Sequence, residues 1–138
     1  IELERRSLQR LGDADAPRRL ADEIDAGDCD LLVLAGVNPV YDRPDGTAWA
    51  ERLSRVPSVV VITDRLDETA ARAFAVAAST HPLAAWEDQT PVEGVYSLRQ
   101  PTTSPSAYTR TPAEWLAAWA GAPADALTLV RGQWRDHV

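Results

Sequence analysis

The chain contains no lysine and no methionine, and it has one cysteine, one phenylalanine and two histidines in 138 residues. Each scarcity excludes something. A single thiol, Cys29, closes no internal disulfide and cannot by itself hold an iron–sulfur cluster or a structural zinc ion. It reads as a small residue leading into a buried segment. All positive charge rests on 14 Lys+Arg residues, every one an arginine, against 21 acidic side chains, for a formal net charge of −7. With no basic cluster, that balance argues against a nucleic-acid partner and against charge-driven docking on anionic lipid. No apolar run approaches the roughly 20 residues of a helical membrane span. There is no basic-then-apolar leader pattern either. The chain opens on Ile1, and a piece of a longer polypeptide is the expectation.

The two histidines support no nucleophilic triad. His81 precedes a proline in a loop and His137 stands next to the last residue, so neither has an evident nucleophile and orienting acid beside it. Carboxylates are plentiful, at Asp42, Asp45, Asp64, Asp67, Glu68, Glu87 and Asp88. Their spacing matches neither an EF-hand nor a zinc motif, and solvated loop acids and helix caps account for them. No catalytic residue and no metal ligand is assigned.

What the chain does have is α/β grammar. At 45% hydrophobic and 25% charged it is ordinary for a globular domain, and its length suits one core. The expectation is a single α/β domain over 1–138, with 1–14 as a lead-in arm and 122–138 as a tail. Asp15 can cap a helix from Ala16, with Pro17 in its first turn, Leu20 and Ile24 on one face and Gly27 as its stop. The run Leu31–Ala35 is short and apolar throughout, as in a parallel strand buried on both faces. Gly36 lets the backbone turn sharply, and Pro39 biases Asn38 toward extended backbone. A turn-rich loop then leads to a helix capped by Thr47, with Trp49 and Leu53 as its apolar pair, ended by Pro57. Ser58–Thr63 is a second buried strand rich in β-branched residues. A third helix is expected from Thr69 to about Phe74, and short strands at Ala75–Ala78 and Val95–Leu98. Thr111-Pro112-Ala113-Glu114 is a capping-box helix start, with Trp115, Leu116 and Trp119 as a stripe and Gly121 as its end. Trp49, Trp115 and Trp119 are expected in the core. The fold class that follows is a Rossmann-like three-layer α/β sandwich with a small, mainly parallel sheet flanked by helices.

In open α/β sheets ligands sit beyond the carboxyl ends of the strands. Gly36 and Asn38 at one strand end and Asp64 at the next are therefore the candidate cofactor-binding residues. The turn lacks the G-x-G-x-x-G fingerprint of dinucleotide binding. An aspartate at Asp64 can accept two hydrogen bonds from the edge of a guanine; equally, it can cap the segment that follows.

The order of motifs carries a resemblance. Gly36, Asn38, Pro39, Val40, Tyr41 and Asp42 are followed by Asp67, Glu68, Thr69 and Ala70. Then come His81, Leu83, Trp86 and Asp88, and finally Gly94, Ser97, Gln100 and Pro101. From Ser7 to Gly121 this resembles the molybdopterin-oxidoreductase-like region of the large iron–sulfur subunit of alternative complex III, a bacterial quinol-oxidising respiratory complex. More distantly it is similar to the third domain of molybdenum enzymes of the dimethyl sulfoxide reductase type. Ala77-Ala78 where relatives have an apolar–proline pair, Ala84 in place of a glutamate and Glu87 in place of a glycine depart from the pattern.

The resemblance implies a structural, non-catalytic domain with no cofactor in this chain and iron–sulfur clusters elsewhere in the parent protein. Its partners would be the other domains and subunits of a respiratory complex at the outer, periplasmic face of the bacterial cytoplasmic membrane. The alternative it implies is a domain binding molybdopterin guanine dinucleotide through Gly36, Asn38 and Asp64. A free-standing nucleotide-binding module is the third reading.

Overall fold

The computed structural model describes residues 6–8 and 12–135, which divide into two compact units. One is Ala14–Ser79; the other comprises the described residues outside that span. His137 and most of the lead-in arm lie outside the described residues.

The unit Ala14–Ser79 is built on a three-stranded parallel sheet in the order β1-β2-β3, with β1 at Leu31–Ala35, β2 at Ser58–Thr63 and β3 at Ala75–Ala78. Helix α1 spans Ala16–Ala26. It stops where Gly27 takes φ 81°, so that its N–H and that of Asp28 can close back on Ile24 and Glu23, a left-handed exit that favours glycine. A short helix α2 (Pro39–Asp42) and helix α3 (Gly46–Leu53) connect β1 to β2. One sheet face carries Leu32, Leu34, Val59 and Val61. These pack with Ala21 and Ile24 of α1, Trp49 and Leu53 of α3, and Val56 and Ala70. Cys29 lies part-buried against this core. Asp25 ties the helices together, accepting from Arg52 Nη2 at 2.9 Å and Arg55 Nη1 at 3.1 Å.

Several local expectations change. β1 is not buried on both faces: Leu31 is 61% and Val33 37% exposed, so its side chains alternate between core and surface. Asp45, not Thr47, occupies the N-cap of α3, and α2 sits where turn chemistry suggested loop. The expected helix from Thr69 to Phe74 is a single 3-10 turn, Ala70–Arg72. Asp67 Oδ1 receives the Thr69 and Ala70 N–H groups that open it.

The second unit contains an antiparallel hairpin, β4 (Glu87–Val92) and β5 (Val95–Arg99), and two helices, α4 (Pro112–Trp119) and α5 (Ala126–Arg135). Gly94 at φ 74° makes the turn between the strands. An extended stretch at 6–8 borders β4, with Ser7 bridged to Val92 and Leu8 N–H donating to Pro91 O. The capping box of α4 forms as expected: Thr111 Oγ1 accepts from Glu114 N–H and Glu114 Oε2 accepts from Thr111 N–H. Glu114 Oε1 also accepts from Ala126 N–H at 3.0 Å, so one carboxylate serves the starts of both helices. Trp49 is core at 2% exposure, whereas Trp119 is 48% exposed and stacks on Trp115 with ring centroids 5.7 Å apart.

Candidate functional site

The parallel register fixes what meets at the sheet's carboxyl rim. Ala35 pairs with Ile62, and Gly36 N–H donates to Ile62 O at 3.0 Å. The turn after β1 and the segment after β2 therefore leave the sheet side by side. Gly36, Asn38 and Asp64 line one open cleft of about 530 Å³, together with Asp42, Arg65, Asp67 and Glu68. The three residues singled out in the sequence are thus neighbours in space, at the place where α/β sheets take ligands.

Gly36 is required by conformation. Its φ is +64°, and a Cβ built there would meet nothing within 4 Å. Its use is the left-handed turn, not close approach to a neighbour. Asp64 is engaged by the next side chain, with Arg65 Nε donating to Oδ1 at 3.0 Å and Nη2 to Oδ2 at 3.5 Å. Asn38 turns inward. Its Nδ2 donates to Glu68 Oε2 at 2.8 Å, and its Oδ1 accepts from the Thr69 hydroxyl at 2.6 Å. That hydrogen bond from Asn38 is the main reason the Glu68 carboxyl is held below its ordinary range. The Asn38 N–H donates to Asp42 Oδ2 at 3.3 Å, so the start of α2 is already occupied by a side chain of its own. Thr69 and Glu68 are not among the residues that the sequence marks as a site. The sequence signal for Thr69 is its place two residues after the acidic cap Asp67, which reads as a helix start.

Elsewhere the chemistry is sparse. A second cleft of about 610 Å³ lies among β4, α4 and α5. Its Glu87 pairs with Arg99 and its Asp88 accepts from Trp134 Nε1 at 3.0 Å, leaving little to converge on a ligand. His81 is exposed, and its Nδ1 accepts from Leu83 N–H at 3.2 Å. Among the described residues, no group of three or more His, Cys, Asp and Glu side chains could hold a metal ion. Nor is any described helix long and apolar enough to cross a membrane.

No family model matches the chain. Over 94 residues it is 39% identical to the menaquinone reductase molybdopterin-binding-like subunit of Nitratidesulfovibrio vulgaris, an alignment covering 65% of this chain and 14% of that protein. That partial match supports a relationship to a molybdopterin-binding-like protein. The chain spans only a small part of that relative's length.

Molybdopterin guanine dinucleotide, the alternative that the motif resemblance implies, carries a diphosphate. A diphosphate needs amide donors or cations. Here four carboxylates (Asp42, Asp64, Asp67, Glu68) line the cleft with one guanidinium, Arg65, and that guanidinium is paired to Asp64. The Asn38 carboxamide is committed to Glu68 and Thr69. These residues do not fit an anionic dinucleotide, and no chemical step is derived through one.

Proposed function

We propose that this chain is a structural, non-catalytic domain of a respiratory oxidoreductase subunit that works on the quinone/quinol couple. In this reading it is a molybdopterin-oxidoreductase-like domain without the cofactor, of the alternative complex III type. It packs against sister domains that carry the iron–sulfur clusters, at the periplasmic face of the bacterial membrane. The relative's name speaks of menaquinone reduction, and the motif resemblance of quinol oxidation; the two differ in the direction of electron flow through one couple.

The observation that carries the cofactor-free part is the charge and occupancy of the rim: four carboxylates against one guanidinium, with Asn38 turned inward. Like charges in such a cleft disfavour a bound diphosphate. Calorimetric titration of the chain with guanosine diphosphate is the direct test. No heat of binding is expected; saturable binding lost in Asp64→Ala would reverse the reading.

A second reading has one observation in its favour. Gly36 and Asp64 do emerge at a common rim, and the Asp64 carboxylate stands there in an exposed ion pair with Arg65. Exposed ion pairs of this kind are weak, so Arg65 alone would not exclude a nucleoside. The diphosphate is the part that the cleft rejects.

A further inference from the structure

Three hydrogen bonds at the rim join segments 29 to 31 residues apart in sequence: Asn38 Nδ2 to Glu68, the Thr69 hydroxyl to Asn38 Oδ1, and Val40 N–H to the Thr69 oxygen at 3.3 Å. Thr69 is fully buried, at 0% exposure. Its hydroxyl donates once and accepts once. α2, which follows Asn38, has only four residues. A helix so short does not nucleate on its own, and Pro39 contributes no backbone donor. Something outside α2 has to hold it, and the hydroxyl of Thr69 reaches the residue before it and a residue inside it.

We infer that Asn38, Thr69 and Glu68 form an internal brace that orders the loop after β1 and the start of α2, as a bound ligand orders such loops in binding domains. Thr69 is its central positioning residue. The comparison with a ligand rests on the cofactor-free reading of the cleft; the brace itself rests on its own geometry. It reassigns Asn38 from ligand contact to loop support. It also explains why the turn is ordered by contacts to the segment after β2, the other side of the same rim.

A buried threonine can also serve merely as a β-branched filler, and the two roles predict opposite rankings. Valine keeps the shape and loses the hydroxyl; serine keeps the hydroxyl and loses a methyl. Residue-resolved amide exchange on the 138-residue chain reads the difference, because exchange reports local opening. In Thr69→Val, exchange at Val40 and Tyr41 rises about tenfold, because both hydrogen bonds of the Thr69 oxygen are lost and their partners, Val40 N–H and Asn38 Oδ1, are left without it. The β2 amides of Val59 and Val61 stay as they were, and Thr69→Ser keeps the loop protected. Should Thr69→Val not fold, Glu68→Ala, at the exposed end of the brace, must still raise exchange at the loop several-fold. The brace is overturned if Val protects the loop as well as Thr does, if Ser is the worse replacement, if β2 loosens as much as the loop, or if Glu68→Ala changes nothing. Guanosine diphosphate restoring protection in Thr69→Val would support the brace, since a ligand then replaces it, and would overturn the cofactor-free reading.

Discussion

Replacing Gly46 with alanine isolates one close contact in the connection between β1 and β2. Gly46 opens α3 and is buried, and its φ is not in the left-handed region. By helix propensity alone, alanine there gains about 0.5–1 kcal/mol. Space decides otherwise. A Cβ on Gly46 would fall on the Val40 carbonyl oxygen and within 2.9 Å of its carbon. That carbonyl is backbone of α2, so relief requires α2 to move against α3. Overpacking of this kind costs about 1–3 kcal/mol. A clash with backbone falls near the upper end of that range, so after the propensity gain a net loss of about 2 kcal/mol remains, roughly 4–8 °C in melting temperature for a domain of this size. Urea titration followed by far-ultraviolet circular dichroism measures it, with the slope m unchanged between variants. Gly36→Ala is the control: its site is open but its φ is +64°, so it should lose about 1 kcal/mol from conformation, part of which Gly36→Asn regains. Gly46→Asn regains nothing. A Gly46→Ala chain as stable as the parent would refute the packing argument and leave propensity as the larger effect.

Glu114→Ala should cost more than an ordinary cap, about 2 kcal/mol, because one carboxylate receives N–H groups at the starts of both α4 and α5; equal loss in Glu114→Ala and Thr111→Ala would contradict this. Stability should hold from neutral pH down to about pH 5 and decline below about pH 4. The Asp25 carboxyl is depressed by its hydrogen bond from Arg52 and the Glu68 carboxyl by that from Asn38. A folded pKa below the unfolded one gives stability that is present above the unfolded pKa and lost as pH falls through the folded one. Asp25→Asn should flatten that decline in a plot of unfolding free energy against pH, and an unchanged slope would remove Asp25 from the explanation.

Where local chemistry decides the structure, the sequence was readable. Ser58–Thr63 is β-branched and bounded by Pro57 and Asp64, and it is the observed β2. The Thr111–Glu114 capping box and the Gly27 exit bound their helices as expected. The parallel arrangement of β1 and β2, and the common rim of Gly36 and Asp64, followed from two apolar runs separated by a helix. Elements decided by long-range contacts were not readable. α2 forms among turn-forming residues and is tied to Thr69 through Val40 and Asn38. β4 is polar, carries Pro91, and exists because β5 and the stretch at 6–8 pair with it. The openness of Leu31 and Val33 could not be seen from an apolar run, since composition does not say which face finds a partner. Within the candidate site, positions were legible but orientations were not. Asn38 was placed correctly at the rim, yet its carboxamide points to Glu68 and Thr69, side chains about 30 residues away.

The proposal of a molybdopterin-oxidoreductase-like domain that serves without its cofactor can be checked on the full-length protein. Its most direct test is the molybdenum and acid-released guanine nucleotide content of the full-length gene product purified from its own cells. Both are expected far below one per polypeptide; one molybdenum and one or more guanine nucleotides per polypeptide, lost together when the rim residue Asp64 is changed to alanine, would overturn the cofactor-free proposal.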